Sequence, residues 1–262
     1  MTTEQPETDD RPPESPPATR DTGVLALAHA REVLRIEAAA ILTMSDQLTD
    51  AFADAVRAVL NVRGRIIVSG MGKSGHVARK IAATLASTGT PAHFVHPAEA
   101  SHGDLGMITT DDLCILLSNS GETRELHDLL SYTRRFAIPV IGMSRNPDST
   151  LMRQSDIALV LPDAPEACAI GMAPTTSTTV SLALGDALAV AVMRIRGFGR
   201  DAFHLYHPGG KLGQRLARVR DLMHAGTEVP LAPEVMRMDE ALVIMTAGRF
   251  GCLGLTDAAG RL

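Results

Sequence analysis

Arg65-Ile-Ile-Val-Ser69 runs directly into Gly70-Met-Gly-Lys-Ser-Gly75, so a β-branched segment is followed at once by a glycine-rich turn. Sequence rich in alanine and leucine then continues to Thr88 with the composition of a helix. A buried strand, a glycine turn and a helix in this order are typical of a parallel α/β sheet. The segment therefore predicts a strand over 65–69 and a helix over 75–88.

The same alternation recurs along the chain. Short apolar runs separated by helices indicate a parallel sheet that is covered on both faces. A helix is predicted over 122–136, and a long one over 174–196 begins with a proline and a Thr/Ser cluster. We therefore predict a doubly wound α/β fold. Its other four strands are predicted at Ala92–His96, Leu113–Ser118, Pro139–Gly142 and Asp156–Leu161.

Both ends of the chain differ from this central part. Residues 1–21 are predicted to be disordered, because the first 20 residues hold five prolines, five acidic residues and almost no large apolar side chain. Helical sequence follows over 22–60, with Asp46 predicted to cap a second helix. Residues 219–262 predict the start of a second small module that stops just after its first hairpin. The apolar residues at helical spacing are Leu27, Leu34, Ile41, Leu42 and Leu48.

Composition narrows the functional classes. The formal charge of −5 argues against a nucleic-acid surface, which needs clustered lysine and arginine. The three cysteines follow no CxxC or Cys/His spacing, so we expect reduced core thiols and no disulfide framework or structural zinc site. No apolar run reaches the about 18–20 residues that a membrane span needs, and the N-terminus lacks a signal pattern. We therefore expect a cytoplasmic protein without a membrane partner.

The glycine-rich turn at 70–75 is the first candidate site. It fits the GxGxxG dinucleotide fingerprint, but the second strand ends in His96 and not in the acidic residue that a ribose requires. Nor is it a P-loop, because the leading glycine of that motif would fall on Ile67. Exposed amides beside Lys73 and Ser74 suit a polar or phosphorylated ligand. The alternative is a tight structural turn with the lysine in solvent.

A second candidate, which we call the serine loop, is Ser118-Asn-Ser-Gly-Glu-Thr123 after the predicted third strand. Hydroxyl and backbone donors at the mouth of a helix would bind a phosphate monoester beyond the carboxyl ends of the strands. An ordinary helix cap explains one Ser or Thr but not four polar residues together. Glu122 and Glu125, three residues apart, are predicted to lie on one helical face near that mouth.

Three further loops carry ionisable side chains. His96 and His102 belong to one loop. Histidine suits proton transfer near neutral pH. The alternative is that these histidines are ordinary surface residues, which is as common for a histidine in a loop. Glu166 follows the fifth strand, and His207 lies in a loop that leads into a further helix. Four of the five candidates follow strands and so share one edge of the sheet. Phosphate-binding groups with carboxylates and imidazoles fit proton transfer on a phosphorylated sugar better than hydride or phosphoryl transfer.

At these residues the chain resembles the sugar isomerase (SIS) domain, and within it the arabinose-5-phosphate isomerase family of the KpsF/GutQ type. The resemblance covers about residues 22–218 and is carried by GMGKSGH, HPAEASHGDLG, SNSGETREL, PEACAIGMAPTTSTT and FHLYHPGGKLG. It implies a three-layer α/β/α fold with a five-stranded parallel sheet. It also implies an enzyme that interconverts D-ribulose 5-phosphate and D-arabinose 5-phosphate, toward Kdo for lipopolysaccharide or capsule.

The resemblance extends to individual positions. His96 resembles a substrate-contacting residue that can take an inhibitory zinc ion, while no cofactor is required because the proton transfer is internal. The residues that resemble the catalytic set are Lys73, His102, Glu125, Glu166 and His207. Substrate binding is implied for Gly72, Ser74, Gly89, Thr90, His96, Ser118, Asn119, Ser120, Gly121 and Thr123.

The resemblance also implies domains and partners. Residues 22–218 would form the SIS domain, and residues 219–262 the beginning of the first of two CBS domains. The family is typically tetrameric, which implies a homotetramer that acts on a small-molecule sugar phosphate.

For the mechanism, we predict that a base removes the proton beside the carbonyl of the open-chain sugar and returns it to the neighbouring carbon through a cis-enediolate. The base would be His102, His207 or Glu166. Lys73 would stabilise the oxyanion and Glu125 would relay protons. Two alternatives stay open: a phosphosugar-binding sensor, which needs the serine loop but not the ionisable loops, and an SIS isomerase of another sugar phosphate.

Overall fold

The computed structural model describes residues 19–206, 219 and 223–262. The chain divides into two compact units, Met1–Phe203 and His204–Leu262, which are described separately. The predicted disorder of residues 1–21 lies outside the described residues, except that the last three already belong to the first helix.

The first unit is built on a parallel sheet of five strands in the order β2-β1-β3-β4-β5. The three central strands β1, β3 and β4 are buried along their whole length, as apolar strands between two helical layers must be. The predicted doubly wound α/β fold is confirmed. The strands are β1 (Ile66–Gly70), β2 (Ala92–Phe94), β3 (Leu113–Leu117), β4 (Val140–Ser144) and β5 (Ile157–Val160).

Helices cover both faces of this sheet. Side chains of β1 alternate between the two layers: Ile66 and Val68 join one core cluster, and Ile67 joins the other. The first cluster lies under α1, α2, α3 and α7, and the second under α4, α5 and α6. These helices are α1 (Thr19–Asp46), α2 (Asp50–Asn61), α3 (Gly72–Ser87), α4 (Pro97–Ser101), α5 (His127–Arg135), α6 (Thr150–Gln154) and α7 (Thr176–Ile195). A further helix, α8 (Arg200–Tyr206), follows along the chain.

The N-terminal helices differ from the prediction in two respects. Asp46 is the last residue of α1, and Thr49 occupies the N-cap of α2, so the predicted capping role of Asp46 is wrong. The apolar stripe also faces outward: Leu34 is 65% exposed and Leu42 is 67% exposed, whereas Ala40 and Met44 turn into the core. Helical spacing alone does not say which side of a helix is covered.

Helix α7 is long and apolar enough to span a membrane by length and composition, with a mean hydropathy of 1.5. Its position in the fold explains that composition. Leu184, Leu188 and Val192 are buried in the core. A Cβ on Gly185 would lie 2.3 Å from the Cδ1 atom of Ile81 on α3, so the glycine lets the two helices approach closely.

The cysteines are all free, but only one is a core thiol. Cys114 is buried on β3, and burial, reinforced by the nearby charge of Asp112, raises the pKa of its thiol to about 12. Cys168 is half-buried and Cys252 is exposed. The expectation of three buried thiols is therefore wrong for two of them.

The second unit contains a short β–α–β element. Strands β6 (Leu231–Pro233) and β7 (Gly254–Thr256) pair in parallel, and helix α9 (Met238–Gly248) connects them. The predicted hairpin is wrong, because parallel strands need a crossover, which α9 supplies.

Candidate active site

The serine loop and the loops that carry Lys73, His96 and Glu166 all begin where a strand ends, at the carboxyl edge of the five-stranded sheet. Ligands of open α/β sheets bind at this edge. The structure therefore confirms that these loops share one end of the fold, as the sequence predicted.

The serine loop is folded onto itself by its own hydroxyls. Ser118 Oγ lies 2.7 Å from Thr123 Oγ1 and accepts the Gly121 N–H at 3.0 Å. Ser120 Oγ accepts the Glu122 N–H at 3.2 Å. Gly121 has φ +72, a conformation that a side chain rarely adopts. Hydroxyl and amide groups are thus gathered in one tight turn.

A loop that the sequence analysis did not single out supports this turn. Residues 145–149 follow β4, which ends at Ser144, and both Ser144 Oγ and the Arg145 N–H donate to the carbonyl of Asn119, each at 3.2 Å. The Leu151 N–H donates to the carbonyl of Gly121 at 3.0 Å. The polar run Ser144-Arg-Asn-Pro-Asp-Ser149 after a predicted strand was the signal that could have revealed it.

The two glutamates of the serine-loop region are not on one helical face. Glu122 Oε1 accepts the Thr150 N–H at 2.7 Å, and this hydrogen bond is the main reason that the pKa of the exposed carboxyl is lowered. Glu125 is exposed in a 3₁₀ turn, Arg124–Leu126, that precedes α5. The helix begins five residues later than predicted. The two carboxylates therefore do not lie on one helical face.

The glycine-rich turn has one glycine that helix packing requires and another that faces open space. A Cβ on Gly75 would lie 2.6 Å from the carbonyl oxygen of Gly70, so this glycine is needed for α3 to approach β1. Gly72 has φ +57, but a Cβ there would meet nothing within 4 Å. Lys73 is exposed in the first turn of α3 and Ser74 is half-buried beside it. The outer part of the turn therefore stays accessible to a ligand.

His96 and His102 occupy the two ends of α4. His96 is the N-cap residue, and its Nδ1 atom is buried without a hydrogen-bond partner among the described residues. Just before His96 in the chain, the Val95 carbonyl accepts a hydrogen bond from Ser69 Oγ at 2.7 Å, which ties β1 to the end of β2. His102 follows the last turn of α4 and is exposed. One imidazole is thus held against the sheet while the other is available at the surface.

Glu166 caps the first turn of α7. Its Oε2 atom accepts the Thr175 N–H at 2.7 Å, the Ser177 N–H at 3.2 Å and the Thr175 hydroxyl at 3.2 Å. Burial alone would raise the pKa of Glu166, but hydrogen bonding to Ser177 and Thr175 outweighs it and leaves the pKa below its usual value. The sequence predicts the Thr/Ser cluster as a helix cap, but no local pattern connects that cluster with Glu166.

Two predicted site residues are not brought to this edge. Gly89 and Thr90 precede β2 and lie at the amino edge of the sheet, where Arg196 Nη1 donates to Thr90 Oγ1 at 2.7 Å and to the Gly89 carbonyl at 3.2 Å. Within one chain they are therefore separated from the serine loop. His207 lies outside the described residues.

Comparison with known proteins agrees with this geometry. The SIS domain model matches residues 59–191. The chain is 46% identical over 233 residues to the arabinose 5-phosphate isomerase KdsD of Yersinia pestis, covering 88% of this chain and 71% of that protein. It is 47% identical over 234 residues to KdsD of Pseudomonas aeruginosa strain PAO1, covering 89% of this chain and 72% of that protein.

A solved structure of an Escherichia coli CFT073 protein in complex with arabinose 5-phosphate is also similar. Its TM-score is 0.68 at 40% sequence identity, and the match covers 72% of this chain and 99% of that chain. Sequence and fold thus agree over the sheet and the loops at its carboxyl edge. The chain therefore belongs to the SIS domain family and, within it, to the arabinose-5-phosphate isomerase family that its motifs resemble.

Proposed function

We propose that this chain is an aldose–ketose isomerase that interconverts D-ribulose 5-phosphate and D-arabinose 5-phosphate through a cis-enediolate. The names of the two KdsD relatives and the arabinose 5-phosphate ligand of the neighbouring structure support the proposal. The observation that carries it in this chain is the serine loop, which gathers hydroxyl and amide groups in one tight turn at the carboxyl edge, where ligands of open α/β sheets bind. The product would lead toward Kdo for lipopolysaccharide or capsule.

The base in this proposal is a histidine, because Glu166 is engaged in capping α7. A carboxylate with a lowered pKa is a weaker base, and its hydrogen bonds would have to break before it accepts a proton. His102 is exposed at the end of α4, and His207 is the second candidate. Lys73, in the first turn of α3, would stabilise the enediolate oxygen, and Glu125 would relay protons between hydroxyl groups.

Isomerisation moves a proton within one molecule, so we propose that the reaction needs no redox cofactor. No group of three or more His, Cys, Asp or Glu among the described residues is arranged to hold a metal. We propose zinc as an inhibitor, with the imidazole of His96 as its ligand from the described part of this chain.

The assembly proposed for this enzyme is a homotetramer in the cytoplasm, with neither nucleic acid nor membrane as a partner. The exposed apolar stripe of α1 offers a surface that a second copy would cover. Gly89 and Thr90, at the amino edge, could contact a substrate only in the site of another copy. Residues 219–262 would begin a CBS module.

The direct test is incubation of the purified chain with D-arabinose 5-phosphate in deuterated water containing a chelator. Ribulose 5-phosphate should form, with deuterium at the carbon beside the carbonyl. Ser118→Ala should raise the KM by about 10- to 100-fold, as expected for a charge-assisted hydrogen bond. Ser87→Ala is the matched control, because that hydroxyl donates to the Thr84 carbonyl within α3.

Two other results would redirect the proposal. Binding of the sugar phosphate without turnover would favour the sensor. Faster turnover of a six- or seven-carbon sugar phosphate in a parallel assay would favour another SIS isomerase.

A further inference from the structure

The ring of Phe94, on the edge strand β2, is in contact with both a cation and an imidazole. The guanidinium carbon of Arg79 lies 4.0 Å from the centroid of the Phe94 ring. The ring centroids of Phe94 and His96 are 6.2 Å apart, and their planes meet at 64° in an edge-to-face arrangement. Both distances lie within the range over which such groups attract each other. The three side chains therefore form one cluster, which we call the Arg79–Phe94–His96 cluster.

The backbone places these three side chains on one face of the sheet. Phe94 and His96 are two residues apart in extended chain, so their side chains point to the same face. Val95, between them, belongs to the core cluster of the opposite layer. Phe94 packs against the core under α3, where Gly75 and Arg79 lie four residues apart on one side of the helix. A Cβ on Gly75 would lie 3.7 Å from Phe94 Cζ, so both helix positions border the same ring.

The main chain at His96 is fixed by hydrogen bonds, whereas the Nδ1 atom of its ring is not. The His96 carbonyl accepts the Ala100 N–H at 2.9 Å, and the Val95 N–H donates to the Val68 carbonyl at 3.1 Å. The Nδ1 atom is buried and has no hydrogen-bond partner among the described residues. Edge-to-face contact with Phe94 is therefore a means of orienting the imidazole that needs no hydrogen bond to Nδ1.

We propose that Arg79 and Phe94 are positioning residues that set the orientation of the His96 imidazole at the carboxyl edge. Phe94 acts on the imidazole through ring contact. Arg79 acts through Phe94, because its cation attracts the aromatic ring and holds that ring in place. The consequence for catalysis rests on the proposed isomerase activity, in which His96 contacts the sugar phosphate. Neither Arg79 nor Phe94 touches the sugar in this proposal.

The first test needs no substrate. In NMR spectra of the full chain with isotope-labelled histidine, the ring signal of His96 is the one that His96→Ala removes. Phe94→Leu removes the neighbouring aromatic ring and should shift this signal. Arg79→Met changes an exposed residue and should also shift it, because Phe94 is released. An unmoved His96 signal in both variants would overturn the proposal.

A second arginine–phenylalanine pair in the chain supplies the matched control. The guanidinium carbon of Arg135 lies 5.6 Å from the centroid of the Phe136 ring, at the end of α5. Arg135→Met removes the same kind of contact at another place in the fold. The His96 signal should stay where it is in this variant, and an equal shift would contradict a specific effect of Arg79.

Steady-state kinetics of the same variants tests the consequence for the reaction. Phe94→Leu should raise the KM for arabinose 5-phosphate about 2- to 10-fold, as expected for loss of an aromatic pair, with little change in kcat. Arg79→Met should raise it about 2- to 5-fold. In the Phe94→Leu background, Arg79→Met should have no further effect, because the cation acts only through that ring. A persistent effect would show that Arg79 acts on the substrate directly, and would overturn the proposal.

Two conservative variants separate positioning from general damage to the fold. Phe94→Tyr keeps the aromatic ring and should stay near the wild-type KM, whereas equal losses in Phe94→Tyr and Phe94→Leu would contradict a role for the ring. Arg79→Lys keeps a cation and should be less impaired than Arg79→Met. If the wild-type chain neither bound nor converted arabinose 5-phosphate, the proposed function would fail, and the His96 signal would still decide the positioning.

Discussion

Gly121 and Ser149 approach so closely that a Cβ atom on Gly121 would lie 1.9 Å from Ser149 Oγ. Ser149 cannot yield easily, because it is fully buried and its hydroxyl donates to the Asn146 carbonyl at 2.8 Å. The serine loop is therefore fixed by the loop after β4 and not by its own hydrogen bonds alone.

Gly121→Ala should loosen the serine loop and raise the KM for the sugar phosphate at least tenfold, through the steric clash and the strain of a side chain at φ +72. Steady-state kinetics checks this. Gly197→Ala is the control, since Gly197 also has positive φ but a Cβ there meets nothing within 4 Å. Equal effects of the two substitutions would show that backbone strain alone matters.

Glu166→Gln should lower the free energy of unfolding near neutral pH by about 0.5–2 kcal/mol, the range for loss of an N-terminal cap. The pKa of Glu166 is lowered by folding, so its carboxylate stabilises the fold above the unfolded-state pKa. This stabilisation is lost as the pH falls through the lowered value. Urea unfolding across this acidic range should therefore show the difference between wild type and variant shrinking.

The same variant separates capping from proton transfer. If Glu166 only positions α7, the kcat of Glu166→Gln should fall by a constant factor and keep the wild-type pH profile. Disappearance of one limb of the profile would instead identify Glu166 as the base.

His96→Ala should abolish inhibition by zinc, because the imidazole of His96 is the proposed ligand. Activity in a zinc titration, with a chelator added back, measures the effect. His93→Ala, three residues earlier on β2, is the matched control, because its Nδ1 already lies 2.6 Å from the Ala92 carbonyl. Undiminished inhibition of the His96 variant would contradict the proposed ligand.

Leu34→Glu should dissociate the proposed tetramer by placing a charge in the exposed stripe of α1. Light scattering coupled to gel filtration reports the mass. Ile195→Glu is the control, because Ile195 is also 65% exposed but belongs to the end of α7. A tetramer in both variants would exclude this face of α1 as a subunit contact.

The sheet could be predicted from the sequence because each strand is a short apolar run between turn residues. The contacts that hold the site loops in place could not be predicted in this way. The contact of Gly121 with Ser149 depends on β4 lying beside β3, which no local pattern specifies. The cap formed by Glu166 needs Thr175 and Ser177, nine and eleven residues away, brought back by an irregular loop. Leu34 has the spacing of a core residue and yet is exposed.

The two ends of α7 are held by hydrogen bonds, whereas its middle is held by apolar packing in the core. Arg196, just past its last residue, donates to Thr90 and to the Val59 carbonyl, while its first turn holds Glu166. A helix of 20 residues is about 30 Å long and moves nearly as a rigid rod. A substitution at Arg196 would therefore release the last turn of this rod from Thr90 and Val59, while Glu166 still holds the first turn.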